Sequence, residues 1–202
     1  MMFADAIDKF LHLVPGCPEA EAIDALRDAV IQFCDDSKSW VYWVDKASNA
    51  LTFDSTSEAQ SIPIGLFDAY IGTDQLSVID LNDQALSASV TSQLLQFDRT
   101  RPWDSIALVP APASTVTVRL LIAWKPTPWA REFPDHLWFS RAEALKGGAL
   151  SRLMANAGTT YANPQMATVH EQVFRSAIGA AGAAAGFNRR THLQRLRVKP
   201  AE

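Results

Sequence analysis

Cysteine is nearly absent from this 202-residue chain, which holds only Cys17 and Cys34. That scarcity excludes a disulfide-stapled scaffold and leaves no Cys or Cys–His spacing for a zinc site. With residues 18–36 read as a helix, the two thiols stand at its opposite ends, roughly 25 Å apart at 1.5 Å per residue, beyond disulfide reach. Both are expected as reduced thiols, Cys34 buried, which fits a cytoplasmic place of synthesis. Long apolar runs are missing too, and none approaches the ~18–20 residues of a membrane span. The acidic, amphipathic opening from Met1 to Asp8 reads as no signal peptide. Nor is there an excess of positive charge. Lys and Arg number 18 against 22 Asp and Glu, a net charge of −4, whereas a general nucleic-acid binder carries a basic body.

Catalytic patterns are equally scarce. The sequence contains no Gly-x-Ser-x-Gly, no phosphate-cradling glycine loop and no His-Glu-x-x-His. Its four histidines, His12, His136, His170 and His192, are widely spaced. His136 and His170 are placed to approach across a helical hairpin, and a metal site there would also need Glu143 or Glu171. Solvated or capping histidines are the simpler reading. Asp35 and Asp36 have no partner for acid–base work and read as a solvated helix end. Cys17 precedes a helix N-terminus, which can activate a thiol, but no base accompanies it. No enzyme activity, metal or cofactor is therefore expected.

What is present is a helical hairpin. Phe133-Pro134-Asp135 opens its first helix, with Asp135 as a candidate cap. Trp138, Ala142, Leu145, Ala149 and Leu153 follow at helical spacing. Ala157 to Thr160 ends it, and Asn163-Pro164 restarts a helix with asparagine as N-cap and proline at the first position. There Met166, Val169, Val173 and Ala177 form a stripe widened by Phe174 and Ile178. Gly147 and Gly148 lie inside the first helix, where each glycine costs about 1 kcal/mol against alanine. With the nearly side-chain-free run Ala177, Ala181, Ala184, they predict close helix packing, either within the chain or against another subunit.

Upstream, Phe3, Ile7, Phe10, Leu11 and Val14 predict a short helix ended by Pro15-Gly16. A stronger one follows Pro18, burying Ile23, Leu26, Val30, Phe33 and Cys34. The middle third is aromatic, β-branched and punctuated by Pro102, Pro110, Pro112, Pro126 and Pro128, which exclude long helices. Strands are expected at 40–44, 50–53, 70–73, 75–81, 105–109 and 115–124. A polar loop is expected at 55–61, a hairpin turn at 81–84 and one or two helical turns at 91–98. With no βαβ alternation, an antiparallel sheet or sandwich is expected. The fold class is α+β, with helical parts at 1–39 and 130–188 around a β part at 40–129.

After Gly186 the character changes. Residues 189–202 hold five Lys/Arg and one Glu, leaving 13 Lys/Arg and 21 Asp/Glu in residues 1–188. An acidic body (−8) thus carries a basic arm (+4), an extension suited to docking on a partner. The arm is expected to be extended and disordered until it meets that partner.

Pro15-Gly16-Cys17-Pro18, the helix Ala25 to Cys34 ending near Trp40, the run Gly148 to Met154, and Tyr161-Ala162-Asn163-Pro164 together resemble tailed-bacteriophage head-to-tail adaptor proteins. The resemblance includes the tail tubular protein A type of the neck, or connector. It covers both helical ends, while the middle strands match in pattern alone. It implies a structural virion protein of the neck, forming a homo-oligomeric ring, commonly a dodecamer, under the portal protein and presenting a surface to a tail nozzle or tube protein. The ring wall would be residues 18–36 and 135–185, and the β part would face the tail. The portal-docking arm would use Arg189, Arg190, His192, Leu193, Arg195, Leu196, Arg197 and Lys199. Genomic DNA would pass without sequence-specific binding, helped by an acidic body that repels phosphate. Another tail component, such as a tube terminator or baseplate protein, is the alternative, followed by a DNA-binding module that uses the basic arm.

Overall fold

The computed structural model describes residues 1–53, 60–80, 94–97 and 106–196, with side chains in the last helix through Gly186. The chain is α+β and forms two compact units: Met1–Ser39 with the chain from Ala130 onward, and Trp40–Trp129.

The first unit is helical. Its opening is not one helix but α1 (Phe3–Ile7) followed by a 3-10 turn at Leu11–Leu13. The tighter turn, with the Phe10 amide bonded to the Ile7 carbonyl at 2.9 Å, still buries Phe3, Ile7, Phe10 and Val14. Helix α2 (Glu19–Ser37) begins after Pro18 with Glu19 and Glu21 in its first turn, where the helix dipole favours acids. It buries Ala22, Leu26, Ala29, Val30, Phe33 and Cys34, leaving Ile23 half-buried. It ends with Lys38 in the left-handed region (φ 49).

Helix α3 (Asp135–Ala155) starts without a side-chain cap, because the N-cap position falls on Pro134, which has no polar side chain; Asp135 is the first helical residue and pairs with the Met1 ammonium. A kink at Arg141 (φ −137, ψ 17) interrupts α3. Just before it, the Ser140 hydroxyl donates to the His136 carbonyl at 2.6 Å, the kind of back-bonding that bends helices. Helix α4 (Pro164–Leu196) begins as the sequence dictates, with the Asn163 carboxamide accepting from the Met166 amide at 3.1 Å.

Two expectations about α4 are corrected. Its buried stripe is Ala167, Phe174 and Ala181, whereas Met166, Val169 and Val173 are exposed. The helix also runs on through Leu196, so Arg189 to Leu196 continue α4 rather than beginning an extended arm. Arg197 and Lys199 lie outside the described residues.

The second unit is built on a four-stranded antiparallel sheet. Its strands are β1 (Val41–Ala47), β2 (Ser61–Ile71), β3 (Asp74–Gln75) and β7 (Thr117–Pro126), in the order β1-β7-β2-β3. Strand β7 is central. Its Val118, Leu120, Ile122 and Trp124 alternate into the core, as a half-buried strand requires. Residues 50–53 are not strand, and β2 begins nine residues before the strand expected at Tyr70. Pro63 and Gly65 hide β2 in the sequence. Proline is tolerated there because β3 pairs only with Tyr70 and Ile71, leaving that end of β2 without a β3 ladder.

A second sheet holds β4 (Ser77–Asp80), β5 (Leu94–Phe97) and β6 (Ala107–Val109). Strand β5 replaces the helical turns expected at 91–98. It also pairs in parallel with β4, so the β unit is not antiparallel throughout. The 13 residues between them give the dozen or so that a parallel crossover needs. The turn expected at Leu81 to Gln84 lies among those residues, outside the described ones.

Candidate functional site

The glycines of α3 mark where the helical unit closes most tightly. A Cβ at Gly148 would stand 2.8 Å from the Phe174 ring and 2.9 Å from the Ala29 Cβ; one at Gly147 would stand 3.3 Å from the His170 carbonyl. The two glycines therefore let the backbone of α3 approach α4, and Gly148 also lets it meet α2. Opposite them, Phe174 is fully buried and its ring centroid lies 6.3 Å from that of Phe33. Ala181 is buried, and a Cβ at Gly182 would stand 3.7 Å from the Ser37 backbone. Gly147, Gly148 and Ala181 thus pack helices within one chain. Ala177 is half-buried, and Ala184 is exposed.

Arg152 ties the three helices together. It donates to the Gly148 carbonyl and the Gln32 side-chain oxygen, and its guanidinium lies 5.4 Å over the Phe174 ring. Burial lowers its pKa, opposed by the charges of Glu171 and Asp28. Beside it runs an open groove of about 500 Å³ lined by Ser151, Arg152, Pro164, Ala167, Thr168 and Glu171. The Ser151 hydroxyl lies 2.9 Å from the Gly148 carbonyl and 3.2 Å from Glu171 Oε2, and Arg175 donates to the other Glu171 oxygen. This is a structural tie between helices, and no histidine is among the described residues that line the groove.

His136 and His170 do not converge. His136 stands eleven residues, roughly 16 Å of helix, from Gly147, against which the His170 carbonyl rests. Among the described residues no group of three His, Cys, Asp or Glu is arranged to hold a metal ion. No helix among them is long and apolar enough to cross a membrane. Neither cysteine forms a disulfide, and both are buried.

Cys17 sits in a small polar cluster that the sequence did not reveal. Burial raises its pKa, reinforced by Glu21 and opposed by the hydrogen bond to Tyr161. The Tyr161 phenol is raised further, by burial first and then by its bonds to Glu21 and Cys17. The fold thus holds both protons more tightly than the unfolded chain does. Their contribution to stability is intact below the ordinary thiol value of 9.0 and falls as pH rises through it and through the tyrosine value of 10.0. Denaturation midpoints should therefore decline above pH 9. Tyr161→Phe should flatten that decline, and an unchanged alkaline slope would show that the cluster is not its source.

In the β unit, Asp68 is a buried carboxylate that accepts from the Ala69 amide (3.0 Å), the Gln75 carboxamide (2.9 Å) and the Tyr70 hydroxyl (3.2 Å). It anchors the turn from β2 into β3. On the same sheet Arg119 lies 5.2 Å over the Trp43 ring and 3.9 Å from Asp45, its register partner.

Compared with known proteins, the chain matches no family model and no curated sequence. Its class is therefore defined by the fold: an α+β chain with a glycine-sealed helical unit from which one long helix leads into a basic terminus.

Proposed function

We propose that this chain is a structural virion protein, a ring-forming adaptor that joins the portal of a tailed bacteriophage to its tail and forms part of the DNA conduit. The observation that carries the reading is the charge division along α4 and beyond. An acidic body of net −8 bears a terminal segment with five cations in residues 189–199, at the end of a helix of 33 residues. A rigid helix of that length reaches about 50 Å at 1.5 Å per residue, which suits a segment that must extend from a ring wall to a partner above it. The close packing of α2, α3 and α4 supports the same reading, because a wall element must hold its shape while its end is engaged.

In this reading the helical unit builds the wall, the β unit meets the tail nozzle or tube protein, and the protein works in the virion neck without catalysis or a cofactor. Arginine dominates the arm, and its planar fork pairs bidentately with carboxylates in a way lysine does not copy. The portal surface should accordingly be acidic, with apolar grooves for Leu193, Leu196 and Val198.

Truncation after Asn188 tests the assignment. The shortened chain should stay folded, because it keeps every buried residue described on α4, the last being Ala181, and should no longer join portal-bearing heads. Infectious particles completed by the truncated protein would remove the arm from the docking role.

A further inference from the structure

The groove between α3 and α4 is lined by an arginine that no described carboxylate pairs with. Arg27 on α2 pairs with Asp24, and Arg175 on α4 pairs with Glu171. Arg152 on α3 bonds instead to two neutral oxygens, the Gly148 carbonyl and the Gln32 carboxamide. Those bonds occupy two of the five N–H donors of a guanidinium. Its Nε makes no hydrogen bond and is not sealed from solvent; among the described residues the sealed, unpartnered side-chain nitrogen is that of Trp124. Arg152 thus brings an unmet charge and spare donors to a groove of about 500 Å³, to which Ala155, Pro164 and Ala167 give an apolar side.

We propose that this groove binds a carboxylate with a small aliphatic body, the carboxylate on Arg152 and the body along Ala155, Pro164 and Ala167. A planar guanidinium matches a carboxylate and holds it by charge-assisted hydrogen bonds. Burial disfavours the Arg152 charge, and Glu171 and Asp28 offset that without forming an ion pair with it. An arriving carboxylate supplies the missing contact. Glu171 lines the same groove, but both its oxygens are engaged, one by Arg175 and the other by the Ser151 hydroxyl at 3.2 Å. It therefore offers no open acceptor to a cationic ligand. Its charge still opposes a phosphate dianion, which would find a single unpaired cation, more than it opposes a monoanion. The volume is in the range of roughly 300–1,000 Å³ that holds small organic ligands. A free short-chain acid and the C-terminal residue of another chain present the same chemistry to it.

The test offers hexanoate or hexanamide to the full chain and reads binding by NMR saturation transfer from protein to ligand. Hexanoate should bind saturably, and hexanamide, which lacks the charge, at least about tenfold more weakly. Inorganic phosphate at matched ionic strength should not displace hexanoate. Arg152→Gln should bind hexanoate no better than hexanamide. Because Arg152 also ties the helices, a second variant leaves it in place. Thr168 lines the groove and is exposed, so Thr168→Trp fills the space without entering the core. It should abolish binding with unchanged circular dichroism. An acetylated tetra-alanine peptide with a free carboxylate separates the sources: tighter binding than hexanoate assigns the site to a chain end, weaker binding to a free acid, and both sustain it. Absent hexanoate binding, equal binding of hexanamide, displacement by phosphate, or binding retained in both variants would overturn the proposal.

Discussion

Phe174→Ala should destabilise the helical unit by about 3–5 kcal/mol, the range for emptying a large aromatic site in a packed core. Phe174 has no exposure, lies against Phe33 on α2 and sits beneath the Arg152 guanidinium. It also fills the space that Gly148 leaves open on α3. The ring therefore touches all three long helices' packing at once, and collapse around the void is limited by the backbone contact at Gly147. The same substitution leaves Arg152 over an empty site, with part of its packing gone. Urea denaturation followed by helical circular dichroism measures the effect. A loss below about 1 kcal/mol, the size of an ordinary surface change, would show that Phe174 is not the keystone of this unit.

Gly148→Ala gives a result that a propensity scale predicts with the wrong sign. Alanine in place of a helical glycine should gain about 1 kcal/mol. Here its methyl would meet two Phe174 ring carbons at 2.8 Å and the Ala29 methyl at 2.9 Å. Overpacking of that kind costs roughly 1–3 kcal/mol, so the net change should be destabilising. Gly179, with nothing within 4 Å of its would-be Cβ, is the matched control, and Gly179→Ala should stabilise. Combining Gly148→Ala with Phe174→Leu should recover part of the loss, because contacting residues are coupled. Strict additivity in that double variant would mean that the clash is relieved elsewhere.

How legible this was in the sequence depended on what each signal reports. Punctuation was reliable: Pro134, Asn163-Pro164 and Pro18 stand where α3, α4 and α2 begin, since proline and capping chemistry act through the local backbone. Periodicity found α4 and its buried Phe174 but centred the stripe too far round the helix, on Met166, Val169 and Val173. Met166, Val169 and Val173 outweigh Ala167 and Ala181 on any hydrophobic scale, yet the buried positions among the described residues of α4 are two alanines and Phe174. The glycines of α3 set that limit, and it is a property of the pair of helices rather than of α4. The exposed side then carries the larger apolar residues, Met166, Val169 and Val173. In the β unit the same limitation cost more. Strand β2 is interrupted by Pro63 and Gly65, and β5 has no alternation. Both are strands because of the neighbours they pair with, β7 for one and β4 with β6 for the other, and no short window of sequence contains those neighbours.

The helical unit is split by the β unit, and that division sets the order in which the chain can fold as it is made. Phe33 leaves the ribosome 141 residues ahead of Phe174, roughly 7–28 s at 5–20 residues per second. Until Asp135 emerges, 102 residues after Phe33, α2 has neither α3 nor α4 to cover Leu26, Val30 and Phe33. The inserted β unit faces a shorter wait, because Val41 and Ala123 are 82 residues apart. Its first and last strands are direct neighbours, with Val41 opposite Ala123 and the Trp124 amide bonded to the Trp40 carbonyl at 2.9 Å. Once β1 and β7 pair, the two ends of the insert are held together, and the long loop between α2 and α3 is closed before α3 is complete. The entropy of that closure is then met by strand pairing, so α3 and α4 dock onto α2 as if the three helices were joined by a short link.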